Sequence, residues 1–196
     1  MMIRMTMKLN AQDILIIRSL IRNPKLSDNQ IGIMTGVPIR TVNRKRKKME
    51  KKGLLNYHTN LNMGADGTGR FNARHLYLVK FKIGISQNQI INEVKMEPNV
   101  STIFTEFIYE SHIAEIDGHT ALVLLIEGSS DDEINIKFNE IIIPSIEKNH
   151  GTGSIIEVTT IRLGKSIRMF HNYLPMVNMD NGRIQESWGD SAIFVE

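Results

Sequence analysis

Between Gly36 and Gly53 the chain reads GVPIRTVNRKRKKMEKKG, and from Ile39 to Lys52 it sets eight Lys or Arg (Arg40, Arg44, Lys45, Arg46, Lys47, Lys48, Lys51, Lys52) against one acid, Glu50, a local charge of +7. Eight of the 24 basic residues and one of the 21 acidic ones lie here, so the rest carries 16 basic against 20 acidic and the overall +3 conceals a remainder of −4. Positive charge is thus concentrated where it can meet a polyanion. If the stretch is helical, each residue advances about 100° and Arg40, Arg44, Lys47 and Lys51 fall within a wedge of about 60°. Ile39, Val42 and Met49 fall on the other side. The result is a rod with an apolar back for docking and a cationic front for phosphates. Many lysine runs are only solvated faces, so the neighbouring sequence has to decide between the two readings.

Upstream, Ser27-Asp28-Asn29 suits a helix start, Ile31, Ile33 and Met34 supply apolar positions, and Gly36-Val37-Pro38 breaks that helix before the basic one begins. Gly32 is small enough for two helices to approach closely, and Gly36 can take the left-handed backbone of a tight turn. A short helix, a glycine turn and a second helix with a polar outer face form a helix-turn-helix, whose second helix enters the major groove by its N-terminal end.

These residues resemble the DNA-binding half of the leucine-responsive regulator (Lrp/AsnC) family. The family's first helix has the pattern L-x-x-x-D-x-x-I-L-x-x-L, and Leu9, Asp13, Ile16, Ile17 and Leu20 stand at those places. Its recognition helix ends in R-x-L-E-x-x-G and two apolar residues, to which Lys47-Lys48-Met49-Glu50-Lys51-Lys52-Gly53-Leu54-Leu55 corresponds without a gap. Arg46 departs from the pattern, standing where the family keeps an apolar residue. It either snorkels beside the apolar stripe or adds a phosphate contact.

The 196 residues suffice for two small domains that each bury a core, and 41% hydrophobic with 23% charged residues is the composition of a folded soluble chain. The absence of cysteine excludes disulfides, thiolate metal sites and cysteine nucleophiles. The opening MMIRMTMKLN has no continuous apolar core and no run approaches a membrane span, so a cytoplasmic location without membrane attachment is the expectation.

Asn10 is placed to cap a helix over 11–22 in which Ile14, Ile17 and Ile21 share a face, and Asn23-Pro24 stops it. After Gly53, residues 54–62 have the partial alternation of a wing strand. Gly64-Ala-Asp-Gly-Thr-Gly69-Arg70 lacks a leading strand, a GK[ST] ending and a following helix, so it reads as a hinge or tight turn rather than a phosphate cradle. From His75 the pattern turns to β-α-β-β-α-β: a strand over 75–84, a helix from Ser86 through Met96, a long or interrupted strand over 100–116, an Asp117-Gly118 turn and a strand over 119–127. A helix capped by Asp131 or Asp132 follows, which Pro144 must kink or end, and then a strand over 154–163.

The fold class is therefore α+β, a winged helix-turn-helix over 1–62, a hinge over 63–74 and a ferredoxin-like βαββαβ domain over 75–170. This is also the architecture the resemblance implies. Residues 171–196, with Trp188 and Phe194 spaced among polar residues, read either as an arm packing on a neighbour or as a tail.

The reading of function is a sequence-specific transcriptional regulator whose partner is double-stranded DNA. Arg40, Thr41 and Asn43 would lie nearest base edges, with Arg44, Lys47, Lys48 and Lys51 on phosphates. The resemblance implies that the ferredoxin-like domain pairs subunits into a homodimer or higher oligomer. It also implies that a small-molecule effector binds near the turn between the second and third strands. Gly118 matches the family's G-x-x-D-Y motif there and His119 follows it, while the motif's acid and tyrosine are missing. The six histidines show no metal-type spacing, no hydrolase or metalloprotease motif is present, and neither cofactor, metal nor catalytic residue is expected. The alternative is an enzyme on the same scaffold, similar to the sirohaem decarboxylases, with Tyr109, His112 or His119 acting on a tetrapyrrole.

Overall fold

The computed structural model describes residues 8–59, 61–96, 108–165, 170–171, 174, 177–188 and 194–195. The chain divides into two compact units, Met1–Thr59 with Ile167–Glu196, and Asn60–Ser166.

The first unit holds three helices, α1 (Ala11–Arg22), α2 (Asp28–Thr35) and α3 (Ile39–Lys51). Asn10 caps α1 reciprocally: the Asp13 N–H donates to Asn10 Oδ1 at 3.1 Å and the Asn10 N–H to Asp13 Oδ2 at 2.9 Å. Ser27 and Gln30 cap α2 in the same way. Gly36 ends α2 at φ 72°, and a Cβ on Gly32 would come within 3.1 Å of the Val37 carbonyl oxygen and 3.2 Å of Ile39 Cγ1. Both glycines are therefore fixed by the turn between α2 and α3.

The core of this unit is Ile16, Leu20, Ile31, Val37, Val42 and Met49. The α1 residues buried against the other two helices are thus Ile16 and Leu20, and of the expected face Ile14, Ile17 and Ile21 only Ile17 packs on this core, partly buried. On α2 only Ile31 is buried, and Ile33 and Met34 are exposed. On α3 Ile39 is 50% exposed, whereas its place in the apolar back called for burial. Gly53, at φ 67°, closes α3, and the Leu54 N–H donates to the Met49 carbonyl at 3.0 Å. The expected wing strand over 54–62 does not form among the described residues, which make a bend and irregular chain after Gly53.

The second unit contains β1 (Ala73–Phe81), α4 (Gln87–Met96), β2 (Ile108–Ile116), β3 (His119–Gly128), α5 (Asp131–Lys137), α6 (Ile143–His150) and β4 (Ile155–Leu163). Its strands form an antiparallel sheet in the order β2-β3-β1-β4, the ferredoxin-like arrangement. Ser130, rather than Asp131 or Asp132, caps α5, its side chain accepting from the Glu133 N–H. Pro144 neither ends nor sharply breaks the helix. A π-helical turn over Phe138–Ile142 joins α5 to α6, the Ile143 N–H reaching back to the Phe138 carbonyl, and this wider turn absorbs the residue that cannot donate.

One sheet face carries Tyr77, Val79, Phe81, Leu124 and Ile126, buried against Ile90 of α4 and Ile134, Phe138, Ile142 and Ile146 of the later helices. Ile141, in the π-helical turn beside Ile142, is 38% exposed. Strand alternation and register put Leu76, Leu78, Val123, Leu125, Ile161 and Leu163 together on the opposite face.

The Gly64–Arg70 segment is a closed loop. The Gly67 and Gly69 N–H groups donate to the Gly64 carbonyl, the Thr68 N–H to Asn62 and the Phe71 N–H to Met63. Those amides are spent within the loop and cannot cradle a phosphate. A Cβ on Gly67 would overlap the Asn62 carbonyl.

In the first unit the C-terminal stretch returns to α1. β5 (Phe170–His171) pairs with β8 (Phe194–Val195), and β6 (Met179–Asp180) with β7 (Arg183–Ile184) across an Asn181-Gly182 turn at φ 47° and 76°. Val177 and Trp188 are buried against Ile17, Ile21 and Ile184. The Arg22 guanidinium lies 4.4 Å from the centre of the Trp188 ring and donates to the Ser187 carbonyl at 2.9 Å, and Arg18 donates to Gln185. The arm therefore packs on its own chain, and it occupies the α1 face left over by the core.

Candidate nucleic-acid interface

The buried side of α3 is Val42, Lys45 and Met49, spaced three and four residues apart. Lys45 lies in this seam. Its Nζ sits 2.8 Å from Asp13 Oδ1 and 3.0 Å from Asn10 Oδ1, with both partners of the ion pair buried. Burial pushes the Asp13 carboxyl up, but the Asn10 N–H and the Lys45 ammonium outweigh it and hold the group below its ordinary 3.8. The Asp13 of the family pattern thus serves as the anchor that lets a lysine occupy the apolar back.

Arg46 also turns inward. Its Nε lies 3.1 Å from Glu50 Oε1 and 2.9 Å from the Tyr57 hydroxyl, and its terminal nitrogen donates to the Leu26 carbonyl at 2.9 Å and to Asp28 at 3.3 Å. The departure from the family pattern is thereby accounted for, since Arg46 ties α3 to the start of α2 and to Tyr57 and so is not turned out as a phosphate contact. Neither Lys45 nor Arg46 belongs to the cationic front, which the charge count alone did not reveal.

Arg40, Arg44, Lys47, Lys48, Lys51 and Lys52 are all exposed. Among the described residues, no carboxylate stands within ion-pair distance of any of the six. Thr41 and Asn43 are half-buried, and the Asn43 amide nitrogen donates to Asp28 Oδ2 at 2.7 Å. α3 starts at Pro38 with no side-chain cap, so its first-turn amides are not taken by a neighbouring side chain.

In the second unit Gly118 sits at φ 77° in the turn between β2 and β3, next to Asp117 at φ 50°. Lys80 holds Asp117 at 2.8 Å, and His119 Nδ1 lies 2.8 Å from the Phe81 carbonyl. The residues weighed for chemistry do not converge. His112 lies 2.7 Å from Glu110, Tyr109 lies under the Arg74 guanidinium at 4.8 Å, and His112 faces Val123, four residues along β3 from His119.

A polar chain runs outward from the buried His75 and Tyr77. His75 Nε2 lies 2.7 Å from Asp131, His75 Nδ1 3.3 Å from the Tyr77 hydroxyl, and that hydroxyl donates to Asn135 at 3.0 Å, with Arg162 paired to Asp131. Burial, then the Arg162 cation, lowers the His75 pKa below 6.5. The chain staples β1, β4 and α5 together. No local spacing announces it, because its hydrogen-bonded partners are separated by as many as 58 positions.

Residues 9–56 match the winged helix-turn-helix DNA-binding family. No curated protein matches the chain. Among solved structures, a Neisseria meningitidis transcriptional regulator in complex with L-Met is 14% identical, with a TM-score of 0.58, covering 83% of this chain and 94% of its own. LrpC of B. subtilis is 16% identical with a TM-score of 0.56, covering 84% of this chain and 100% of its own. AsnC of E. coli is 12% identical with a TM-score of 0.56, covering 84% and 97%. At these identities the likeness is one of fold, and it is the α+β fold of the Lrp/AsnC regulators that the sequence resemblance implied. Among the described residues no helix is long and apolar enough to cross a membrane.

Proposed function

We propose that this chain, built on the fold of the Lrp/AsnC regulators, is a sequence-specific DNA-binding transcriptional regulator that places α3 in the major groove. The observation that carries this reading is the sorting of charge on one helix. Lys45 and Arg46 are neutralised from within, while Arg40, Arg44, Lys47, Lys48, Lys51 and Lys52 are exposed and ion-paired with no carboxylate among the described residues. A solvated face needs no such arrangement, whereas a phosphate-tracking surface does. Arg40 and Thr41 at the N-terminal end approach base edges, and Asn43, held by Asp28, reaches them with its remaining hydrogen-bonding capacity. Arg44, Lys47, Lys48 and Lys51 contact phosphates. Replacing Lys47 and Lys51 together by Glu is expected to abolish retardation of DNA while leaving the circular dichroism spectrum intact. Undiminished binding by this variant refutes the assignment.

Self-association through the helix-free sheet face belongs to the same reading. Leu76, Leu78, Val123, Leu125, Ile161 and Leu163 make an apolar surface on which no described helix of that unit packs, and a second copy covers it with an identical face. Ile161, 41% exposed, is the place for a test: Ile161→Glu should shift sedimentation from dimer to monomer without unfolding the chain. The reading includes a small-molecule effector, as the L-Met complex of the Neisseria meningitidis regulator suggests, near the turn that carries Gly118 and His119. Titration of DNA binding with free amino acids, repeated on His119→Ala, measures that part separately.

A further inference from the structure

Ile39 opens α3 and was read from the sequence as part of its buried back, yet half of its surface is exposed. Its inner branch is fixed, because Cγ1 stands 3.2 Å from the position a Cβ on Gly32 would occupy. One side of the residue is thus held against α2 by the tight approach at Gly32, and the exposed remainder belongs to the same first helical turn as Arg40 and Thr41. An apolar side chain so placed gains nothing from water, and the first turn of α3 is the part that the proposed function sends deepest into the major groove. There the one apolar group on a base edge is the C5-methyl of thymine.

We infer that Ile39 is a specificity-determining residue that selects thymine in each half-site by contact with its C5-methyl group. The inference rests on the major-groove reading of α3. Arg40 and Thr41 beside it supply hydrogen bonds, which distinguish donors from acceptors but are indifferent to a methyl group. Ile39 would add the distinction between thymine and cytosine at one base pair. The neighbouring exposed residues Ile33 and Met34 lie on α2 rather than on the first turn of α3 and are not assigned this role.

The test begins with sequences selected from random DNA by the full-length protein. In the selected half-site each thymine is replaced singly by deoxyuridine, which removes the methyl and leaves every hydrogen-bonding group. For the wild type, one position should weaken binding about fourfold, the factor expected for one methyl group returned to water. Ile39→Ala should bind more weakly overall and lose its response to deoxyuridine at that position alone, whereas Lys47→Ala should keep it. Ile39→Val retains the contact with Gly32 and should respond partially, which keeps the test valid should the alanine variant fold poorly. An unchanged deoxyuridine response in both Ile39 variants, or no responsive thymine at all, overturns the inference while leaving major-groove binding standing. Failure of the wild type to select any sequence refutes both.

Discussion

Lys45 is the residue for which charge counting and geometry make opposite predictions. As a member of the basic run it should contribute to DNA binding, whereas its place opposite Asp13 makes it structural. Lys45→Met keeps the length and apolar stem but leaves the Asp13 carboxylate buried, with the Asn10 N–H as its remaining hydrogen-bond donor. Breaking one partner of a buried pair costs about 3–5 kcal/mol, a large fraction of the roughly 5–15 kcal/mol that holds a domain together. The double variant Asp13→Asn/Lys45→Met removes both charges and retains an oxygen for the Asn10 N–H, so it should recover all but about 1–2 kcal/mol. Trp188 is the chain's one tryptophan and packs on α1 in the same unit, so urea unfolding followed by its fluorescence reads the relevant unit directly. Lys47→Met, at an exposed site, should change stability by less than about 0.5 kcal/mol while weakening DNA binding. If Lys45→Met proves as stable as Lys47→Met and loses as much DNA affinity, the buried-pair reasoning is wrong. The pH dependence carries its own sign. Because the folded Asp13 is held below 3.8, its contribution is fully present above that value and disappears as pH falls through the lower folded value.

Trp188→Ala should destabilise the first unit by about 3 kcal/mol or somewhat more, since it removes a buried indole together with its stacking on Arg22, and amide exchange in α1 would report the loss. Gly67→Ala should open the Gly64–Arg70 loop, because the added methyl meets the Asn62 carbonyl, and enhanced proteolysis between Asn62 and Phe71 is the readout. Glu133, held down to about 2 by Lys137 and by the Ser129 hydroxyl and N–H, should titrate by NMR well below its ordinary 4.5; its stabilising effect is present above that value and lost as pH falls toward 2.

The helix-turn-helix was legible because its signals are local. A cap such as Ser27, a left-handed glycine such as Gly36 and a stop such as Gly53 each act within a few residues, and the structure uses all three. The βαββαβ order was legible for the same reason, from alternation in β1 and from the Asp117-Gly118 turn. Partners far apart in sequence were not. Lys45 pairs across 32 residues and Arg18 reaches Gln185 across 167, so nothing near either residue marks it as engaged. The hairpin inside the arm is absent from the sequence reading: Asn181-Gly182 is a dipeptide suited to a turn with two positive φ angles, but the segments around it are too short to show alternation. Register errors have a further cause: on α1 the apolar residues cover more than one face, and only tertiary contacts decide that Ile16 and Leu20 are buried with α2 and α3, that Ile21 meets the arm and that Ile17 touches both.

Partition of the basic run has a measurable consequence for salt dependence. Each phosphate neutralised on duplex DNA contributes about −0.9 to the slope of log affinity against log salt. If all eight cations of the run met phosphates, the slope per recognition helix would approach about −7. Removing Lys45 and Arg46, which spend their charge on Asp13, Asp28 and Glu50, leaves six and a limit of about −5. Assigning Arg40 to a base edge lowers it slightly further, to about −4.5. Titration of affinity between low and moderate salt, on a single half-site so that one α3 is engaged, separates these values. A slope near −7 would mean that DNA draws both Lys45 and Arg46 out of their internal pairs, and Asp13→Asn should then steepen nothing. A slope near −5 that is unchanged in Arg46→Gln but flattened by about one in Lys51→Gln locates the phosphate contacts on the exposed front.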